Sequence, residues 1–153
     1  MLTKEKIKSE SEESKVMSGK FWSAIQEKIQ TGSQLKTPGR GDPPTRQAPF
    51  YAVEKGGEYL KIEIGSKRTP NTLRKEMFDR VENYFREHPE ETLRIAATHT
   101  TSPLRSSVDA IVRDKSGRAL GNYVAAILKE AGCVEFVMES KQKRIKPKIN
   151  LSL

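Results

Sequence analysis

The sequence is poor in the residues that build disulfides and zinc centres. Its 153 residues contain one cysteine, Cys133, and two histidines, so an intrachain disulfide is excluded and a Cys/His zinc site is not expected. No apolar run approaches the roughly 20 residues that span a bilayer, and the start of the chain lacks the apolar core of a secretory signal. We therefore expect an intracellular protein, cytoplasmic or nucleoid-associated, with no membrane partner, no metal and no cofactor.

Basic residues are abundant, and their excess is unevenly distributed. The chain has 28 lysines and arginines against 20 acidic residues, a formal net charge of +8 and a pI near 9.6. Residues 111–153 carry nine basic and four acidic side chains, and residues 1–50 carry nine and six, whereas the segment between them is balanced. A basic balance of this kind favours a polyanionic partner such as DNA or RNA.

The first 48 residues are predicted to be a mostly disordered arm, because Lys, Glu and Ser dominate their start and prolines and glycines their end. Within this arm a short amphipathic helix is expected at about residues 18–30. Its apolar face comprises Val16, Phe21, Trp22, Ile25 and Ile29. Two interpretations remain open: the helix docks on the main domain, or it binds a protein partner. Residues 31–49 are predicted to be a linker without helix or strand.

A single globular domain is expected over residues 49–153. Alternating apolar residues around a Gly-Gly turn predict a β-hairpin at 50–64. Apolar residues at intervals of three or four predict a helix over 69–88, with Thr69 as its N-cap and Pro89 just after its end. This helix should form the centre of the core.

Two further helices are predicted after a short extended or turn-like segment at residues 92–98. The first should open at Ser102-Pro103, because proline is favoured in the first turn of a helix. The second should run over 118–131 and end at Gly132, because glycine is favoured just after a helix.

A terminal β-hairpin follows these helices in the prediction. Its strands are expected at residues 133–138 and 144–153, with a basic turn between them. Pro147 lacks a backbone donor, so the second strand should lie at the edge of its sheet. Cys133, at the start of the hairpin, is expected to be a buried small apolar residue.

The stretch LGNYVAAILKEAGCVEFV, followed by the basic KRIKPKINLSL, resembles the third helix and the wing of winged helix-turn-helix DNA-binding domains. The resemblance covers about residues 71–153. It implies an α+β fold, in which a winged helix-turn-helix domain at about 66–153 follows an N-terminal β-hairpin and a flexible N-terminal arm. It also implies that helix 118–131 enters the major groove of DNA while the wing at 140–148 contacts phosphates.

The candidate DNA-binding residues lie on this helix, on the wing and at the start of the preceding helix. On the helix, Arg118 could pair with guanine and Asn122 with adenine, while Gly121 and Ala125 would permit close approach to the nucleic acid. The full candidate set is Arg105, Ser106, Ser116, Arg118, Asn122, Lys129, Lys141, Lys143, Arg144, Lys146 and Lys148. The open alternatives are a solvated helix face and a charged edge strand that prevents aggregation.

We therefore expect a non-catalytic DNA-binding protein, such as a transcriptional regulator or a factor in replication or mobile-element maintenance. Two alternatives stay open: a protein-interaction module built on a winged helix, and an RNA-binding protein, because a basic wing can follow any phosphate backbone. Duplex DNA is the expected partner, and a homodimer would suit two-fold DNA sites. No paired catalytic groups are evident in the sequence, so an enzyme is not expected.

Overall fold

A computed structural model describes residues 19–95, 107–113, 120–139 and 142–151 of the chain. Within these residues the protein is a mixed α+β structure with two antiparallel sheets, which confirms the predicted class. In chain order the elements are α1 (Lys20–Lys28), β1 (Gln34–Lys36), β2 (Pro49–Lys55), β3 (Tyr59–Ile64), β4 (Thr69–Arg74), α2 (Lys75–Glu87), β5 (Leu93–Arg94), α3 (Val108–Val112), α4 (Gly121–Glu130), β6 (Val134–Glu139) and β7 (Gln142–Pro147).

The first sheet is an antiparallel meander in the order β1-β2-β3-β4. Its centre is the predicted hairpin, now β2 and β3, in which Leu60 and Ile62 are fully buried. The prediction that residues 31–49 contain no strand was wrong, because β1 lies there and pairs with β2. The reason is tertiary: Leu35 is buried opposite Phe50, and this contact stabilises three residues of strand within a glycine- and proline-rich segment.

The strand β4 occupies the segment that was predicted to begin the long helix. Leu73 pairs with Leu60 of β3 and is fully buried, so its apolar side chain belongs to the sheet and not to a helical stripe. Pro70 is tolerated because β4 is the edge strand of the sheet. The helix α2 therefore begins at Lys75, six residues after the predicted N-cap Thr69.

The core of the protein forms around α2, as predicted. Met77, Phe78, Val81 and Phe85 are buried along one side of this helix. The helix ends at Glu87, just before the His-Pro pair that was predicted to stop it.

The helix α1 packs onto this core. It confirms the helix predicted at about residues 18–30, and its Phe21, Trp22 and Ile25 belong to the same apolar cluster as α2. The ring of Trp22 lies 5.6 Å from that of Phe78, and the Phe21 N–H donates to Glu82 Oε1 over 2.7 Å. Of the two interpretations of this helix, docking on the main domain is the one observed. The flexible arm predicted to extend to residue 48 is contradicted over 19–48, because this segment supplies part of the core.

The second sheet has the order β5-β7-β6. Together with α2, α3 and α4 it follows the predicted chain order of helix, short strand, two helices and hairpin. The prediction that the last strand lies at an edge was wrong, because β7 is central. Pro147 is the last residue of β7, and it has a partner strand on one side only, where it faces Val134 of β6. On the other side β5 pairs with Arg144 and Ile145 and does not reach Pro147, so the missing N–H of the proline is tolerated.

The structure describes the two helices between these strands over Val108–Val112 (α3) and Gly121–Glu130 (α4). The helix α3 begins at Val108, since Ser107 has extended backbone and its Oγ accepts a hydrogen bond from the Ala110 N–H. The predicted start at residues 102–103 and the turn at 114–117 lie outside the described residues. The end of α4 is confirmed: Gly132 has a φ of +76°, and the Cys133 N–H donates back to the Leu128 carbonyl over 2.9 Å.

Candidate nucleic-acid interface

A positively charged cleft of about 530 Å³ lies between the loop that joins β1 to β2, the end of β5 and the start of β7. Arginine, lysine and amide side chains dominate its lining, and none of the described residues that line it is acidic. The lining residues are Thr37, Pro38, Gly39, Arg40, Gly41, Arg46, Arg94, Ile95, Asn122, Gln142 and Lys143. We call this site the basic cleft, and we call residues 37–48 the arginine loop.

The arginine loop is a closed hairpin-like turn. At its base the Thr37 N–H donates to the Ala48 carbonyl over 2.9 Å, and the Ala48 N–H donates to Thr37 Oγ1 over 2.8 Å. Further out, Arg40 and Thr45 exchange two backbone hydrogen bonds of 2.7 and 2.8 Å. These bonds fix the backbone that carries Arg40 and Arg46, so both arginines are presented by an ordered support.

Glycine is required at one point of this loop. Gly39 has a φ of +70°, and a Cβ at this position would lie 2.7 Å from Gln47 Cγ and would collide with the Thr45 carbonyl oxygen. The close approach of the two sides of the loop therefore depends on Gly39.

Lys143 joins the arginine loop to β7. Its Nζ donates to the Pro38 carbonyl over 2.7 Å and lies 5.5 Å from the ring centre of Phe136. Burial lowers the pKa of Lys143 below its ordinary value, an effect that nearby Asp42 opposes and Lys129 reinforces. This predicted phosphate contact thus lies in the basic cleft, where one of its three N–H donors also holds the loop in place.

Asn122, a predicted base contact, also lines the basic cleft. It is exposed in the first turn of α4, next to Gly121, whose N–H donates to Asp109 Oδ1 over 2.7 Å. The following residue, Tyr123, packs edge-to-face on Phe50 at the start of β2, with ring centres 5.2 Å apart. The helix start is therefore fixed from α3 and from the first sheet, and Asn122 is left facing solvent.

The rest of α4 is less accessible than predicted. Gly121 and Ala125 were expected to permit close approach to bases or phosphates, but both are buried inside the protein. A Cβ on Gly121 would lie 2.7 Å from the backbone nitrogen of Asp109 and 2.8 Å from the Ile95 carbonyl oxygen. Small residues at these positions therefore serve internal packing. Lys129 is exposed near the other end of the helix, with its Nζ 5.4 Å from the Phe136 ring.

The remaining wing cations lie away from Lys143, because successive residues of a strand point to opposite faces and Arg144 and Lys146 alternate with it. Arg144 donates to Thr92 Oγ1 over 2.6 Å and lies 3.6 Å from a Glu139 carboxylate oxygen, so it binds β7 to the segment before β5. Lys146 is exposed beside a second cleft of about 320 Å³ near Phe85, and Lys148 is exposed beyond the strand. These cations do not line the basic cleft with Lys143.

Five of the predicted contacts lie outside the described residues. They are Arg105, Ser106, Ser116, Arg118 and Lys141. Conversely, sequence reasoning missed Arg40, Arg46 and Arg94, which line the basic cleft. A signal for two of them was present, since Arg40 and Arg46 stand in a Gly- and Pro-rich segment between the apolar Leu35 and Phe50, a composition typical of a loop between two strands.

Comparisons with known proteins found no match for this chain. No protein-family model, no curated protein and no solved structure matches the chain. Within the described ranges, no three His, Cys, Asp or Glu side chains are grouped in a way that could hold a metal ion. Across those same ranges, every helix is too short or too polar to cross a bilayer.

Proposed function

We propose that this chain is a non-catalytic DNA-binding protein whose basic cleft contacts the sugar-phosphate backbone of duplex DNA. The observation that carries the proposal is the convergence of four cationic side chains from three separate segments on one cleft: Arg40, Arg46, Arg94 and Lys143. Guanidinium groups form paired hydrogen bonds with phosphate oxygens, and they remain charged at any relevant pH. No described carboxylate lines the cleft itself, and Asp42 of the arginine loop lies near enough to Lys143 to raise its pKa.

The arrangement of the second sheet supports a winged helix as the framework of this site. The order α2, β5, α3, α4, β6, β7, with β5 paired to β7, is the order expected of such a domain. In this proposal the β6–β7 hairpin is the wing and α4 is the third helix. Because most of α4 is buried, we propose that DNA meets its first turn, at Asn122, and the neighbouring arginine loop, and does not lie along the whole helix.

A DNA-binding protein of this kind would act as a transcriptional regulator or as a factor in replication or mobile-element maintenance. RNA is the competing ligand, since the same cations would contact its phosphates. The protein-interaction alternative is a module built on a winged helix, with the helix at residues 18–30 as its possible docking motif. The apolar face of that helix is covered by the core, with Phe21 and Ile25 fully buried, so a partner could reach it only after α1 undocks.

The proposal is tested by titrating labelled duplex DNA, single-stranded DNA and duplex RNA with the protein and following fluorescence anisotropy across a range of salt concentrations. Wild type is compared with Arg40→Gln/Arg46→Gln, which keeps long polar side chains and removes two charges. Because each phosphate contact contributes roughly 0.9 to the slope of log affinity against log salt, we expect the slope to fall by about two and binding at low salt to weaken strongly.

The control is Arg74→Gln/Arg80→Gln, which removes the same charge from two exposed arginines that do not line the cleft. This control should leave the slope almost unchanged. The DNA-binding proposal fails if wild type binds none of the three nucleic acids at low salt. It fails in its choice of site if the two double variants weaken binding equally, and in its choice of ligand if duplex RNA binds more tightly than duplex DNA.

A further inference from the structure

The basic cleft has the dimensions of a pocket for a small ligand. Its volume of about 530 Å³ lies within the range of roughly 300–1,000 Å³ that is usual for small-molecule sites. A DNA duplex presents its phosphates on a convex surface, which can contact the rim of such a cleft but cannot enter it. A single unpaired nucleotide is small enough to enter.

The lining of the cleft contains groups for each part of a nucleotide. Arg40 and Arg46 on the loop and Arg94 at the end of β5 offer guanidinium groups to a phosphate. Guanidinium planes also stack on the faces of bases, and this contact tolerates any base. The three guanidinium groups can therefore bind a phosphate and also stack on a base next to it, provided that the base is unpaired.

Two amides complete this chemistry. Asn122 at the start of α4 and Gln142 at the start of β7 line the same cleft and are both exposed. Each amide carries donors and an acceptor, which match the edge of an unpaired base. Ile95 and Pro38, both buried, give the cleft an apolar component against which a base or sugar can pack.

We infer that the basic cleft binds one unpaired nucleotide together with its phosphate, so that the protein prefers DNA ends or junctions with a single-stranded overhang to continuous duplex. The inference rests on the proposed DNA-binding function and specifies the ligand of the same site. In this inference the arginines bind any DNA phosphate, and the amides Asn122 and Gln142 contribute most when a base is unpaired.

The test compares two labelled DNAs that share one duplex, the first blunt and the second with a short single-stranded overhang. For wild type we expect roughly tenfold tighter binding of the overhang DNA, because a paired amide contact to a base edge discriminates by about this factor. The variant Asn122→Ala/Gln142→Ala keeps all the charge of the cleft. It should lose most of this preference, measured as the ratio of its affinities for the overhang and the blunt DNA.

Gln30→Ala/Gln34→Ala is the matched control, because it removes two exposed side-chain amides that do not line the cleft. This control should retain the preference for the overhang. Equal wild-type affinity for blunt and overhang DNA overturns the inference and leaves the DNA-binding proposal intact, whereas no binding to either DNA overturns both. A preference that persists in Asn122→Ala/Gln142→Ala, with unchanged thermal unfolding, overturns the assignment to this cleft.

Discussion

Gly121 begins α4 at a place where any side chain would meet the backbone of two other elements. Its N–H donates to the buried carboxylate of Asp109, and its missing Cβ leaves room for the Ile95 carbonyl at the end of β5. The same residue precedes Asn122 in the basic cleft, so the packing of one glycine sets the position of a proposed base contact.

The variant Gly121→Ala is therefore expected to destabilise the protein by about 1–3 kcal/mol, because the inserted methyl group must displace Asp109 or the backbone of Ile95. Urea unfolding followed by circular dichroism measures the change. Gly57→Ala is the control, since nothing lies within 4 Å of a Cβ at that turn position, and it should change stability by no more than a few tenths of a kcal/mol. Equal stability of the two variants would contradict this account of Gly121.

At the scale of single elements, the arginine loop links the first sheet to the proposed ligand. Its base is closed by the side chain of Thr37, which is 8% exposed and whose hydroxyl accepts the Ala48 N–H. Its outer part is held by the Arg40–Thr45 pair and by Lys143. DNA binding by the side chains of Arg40 and Arg46 should therefore depend on the hydrogen bonds that hold the loop backbone. Neither arginine side chain takes part in those hydrogen bonds.

Replacing Thr37 by valine keeps the shape of the side chain and removes this acceptor. An unsatisfied, partly buried N–H costs about 1–3 kcal/mol, so the base of the loop should open more often. We expect several-fold weaker duplex-DNA binding in the anisotropy titration and faster proteolysis within residues 37–48. Thr72→Val, on the exposed side of the edge strand β4, should change neither measurement. Unaltered proteolysis in Thr37→Val would show that the hydroxyl does not close the loop.

The elements that were predicted correctly carry local signals of their own. Three features can each be read from one short stretch of sequence: the apolar stripe of α2, the glycine after α4 and the alternation of apolar residues in β3. In contrast, β1 and β4 are the two edge strands of their sheet, and each depends on an apolar partner in another strand, Phe50 or Leu60. A Thr-Pro pair at the start of β4 suits a helix start and an edge strand equally well, and only tertiary packing decides between them.

The same distinction applies to the candidate site. Asn122 and Lys143 could be selected because they stand on a predicted helix and a predicted wing. Arg40 and Arg94 are more than fifty positions apart in the sequence, and only the folding of the first sheet against the second brings them to one cleft. No periodicity in the sequence encodes that proximity.

At the scale of the whole molecule, the described residues share a single apolar cluster. It includes Trp22 of α1, Phe50 of the first sheet, Phe78 of α2 and Ile145 of the second sheet. A buried ion pair reinforces the connection: Glu82 is fully buried, its Oε1 accepts the Phe21 N–H of α1, and its Oε2 lies 2.7 Å from the Arg86 guanidinium. Glu82 thus acts as the N-terminal cap of α1 from a different helix, since no side chain of α1 or of Gly19 provides this bond.

This arrangement predicts that α1 unfolds together with the rest of the protein. Trp22 is the single tryptophan and is 5% exposed, so its fluorescence reports on the docking of α1, whereas far-ultraviolet circular dichroism reports on all helices. The two urea transitions should coincide, as expected for one cooperative unit. A tryptophan transition at clearly lower urea would show that α1 undocks separately, and would restore this helix as a candidate surface for a protein partner.

The ion pair offers a sharper form of the same test. Glu82→Ala removes the acceptor of the Phe21 N–H and the carboxylate partner of Arg86, whose guanidinium still donates to the Leu151 carbonyl, so it should lower the free energy of unfolding by about 3 kcal/mol. Glu76→Ala on the exposed side of α2, whose carboxylate is 3.9 Å from Arg80, should cost less than 1 kcal/mol. In Glu82→Ala the fluorescence and circular-dichroism midpoints should move together to lower urea. If only the fluorescence midpoint moves, Glu82 holds α1 alone, and the core of the protein is stable without that helix.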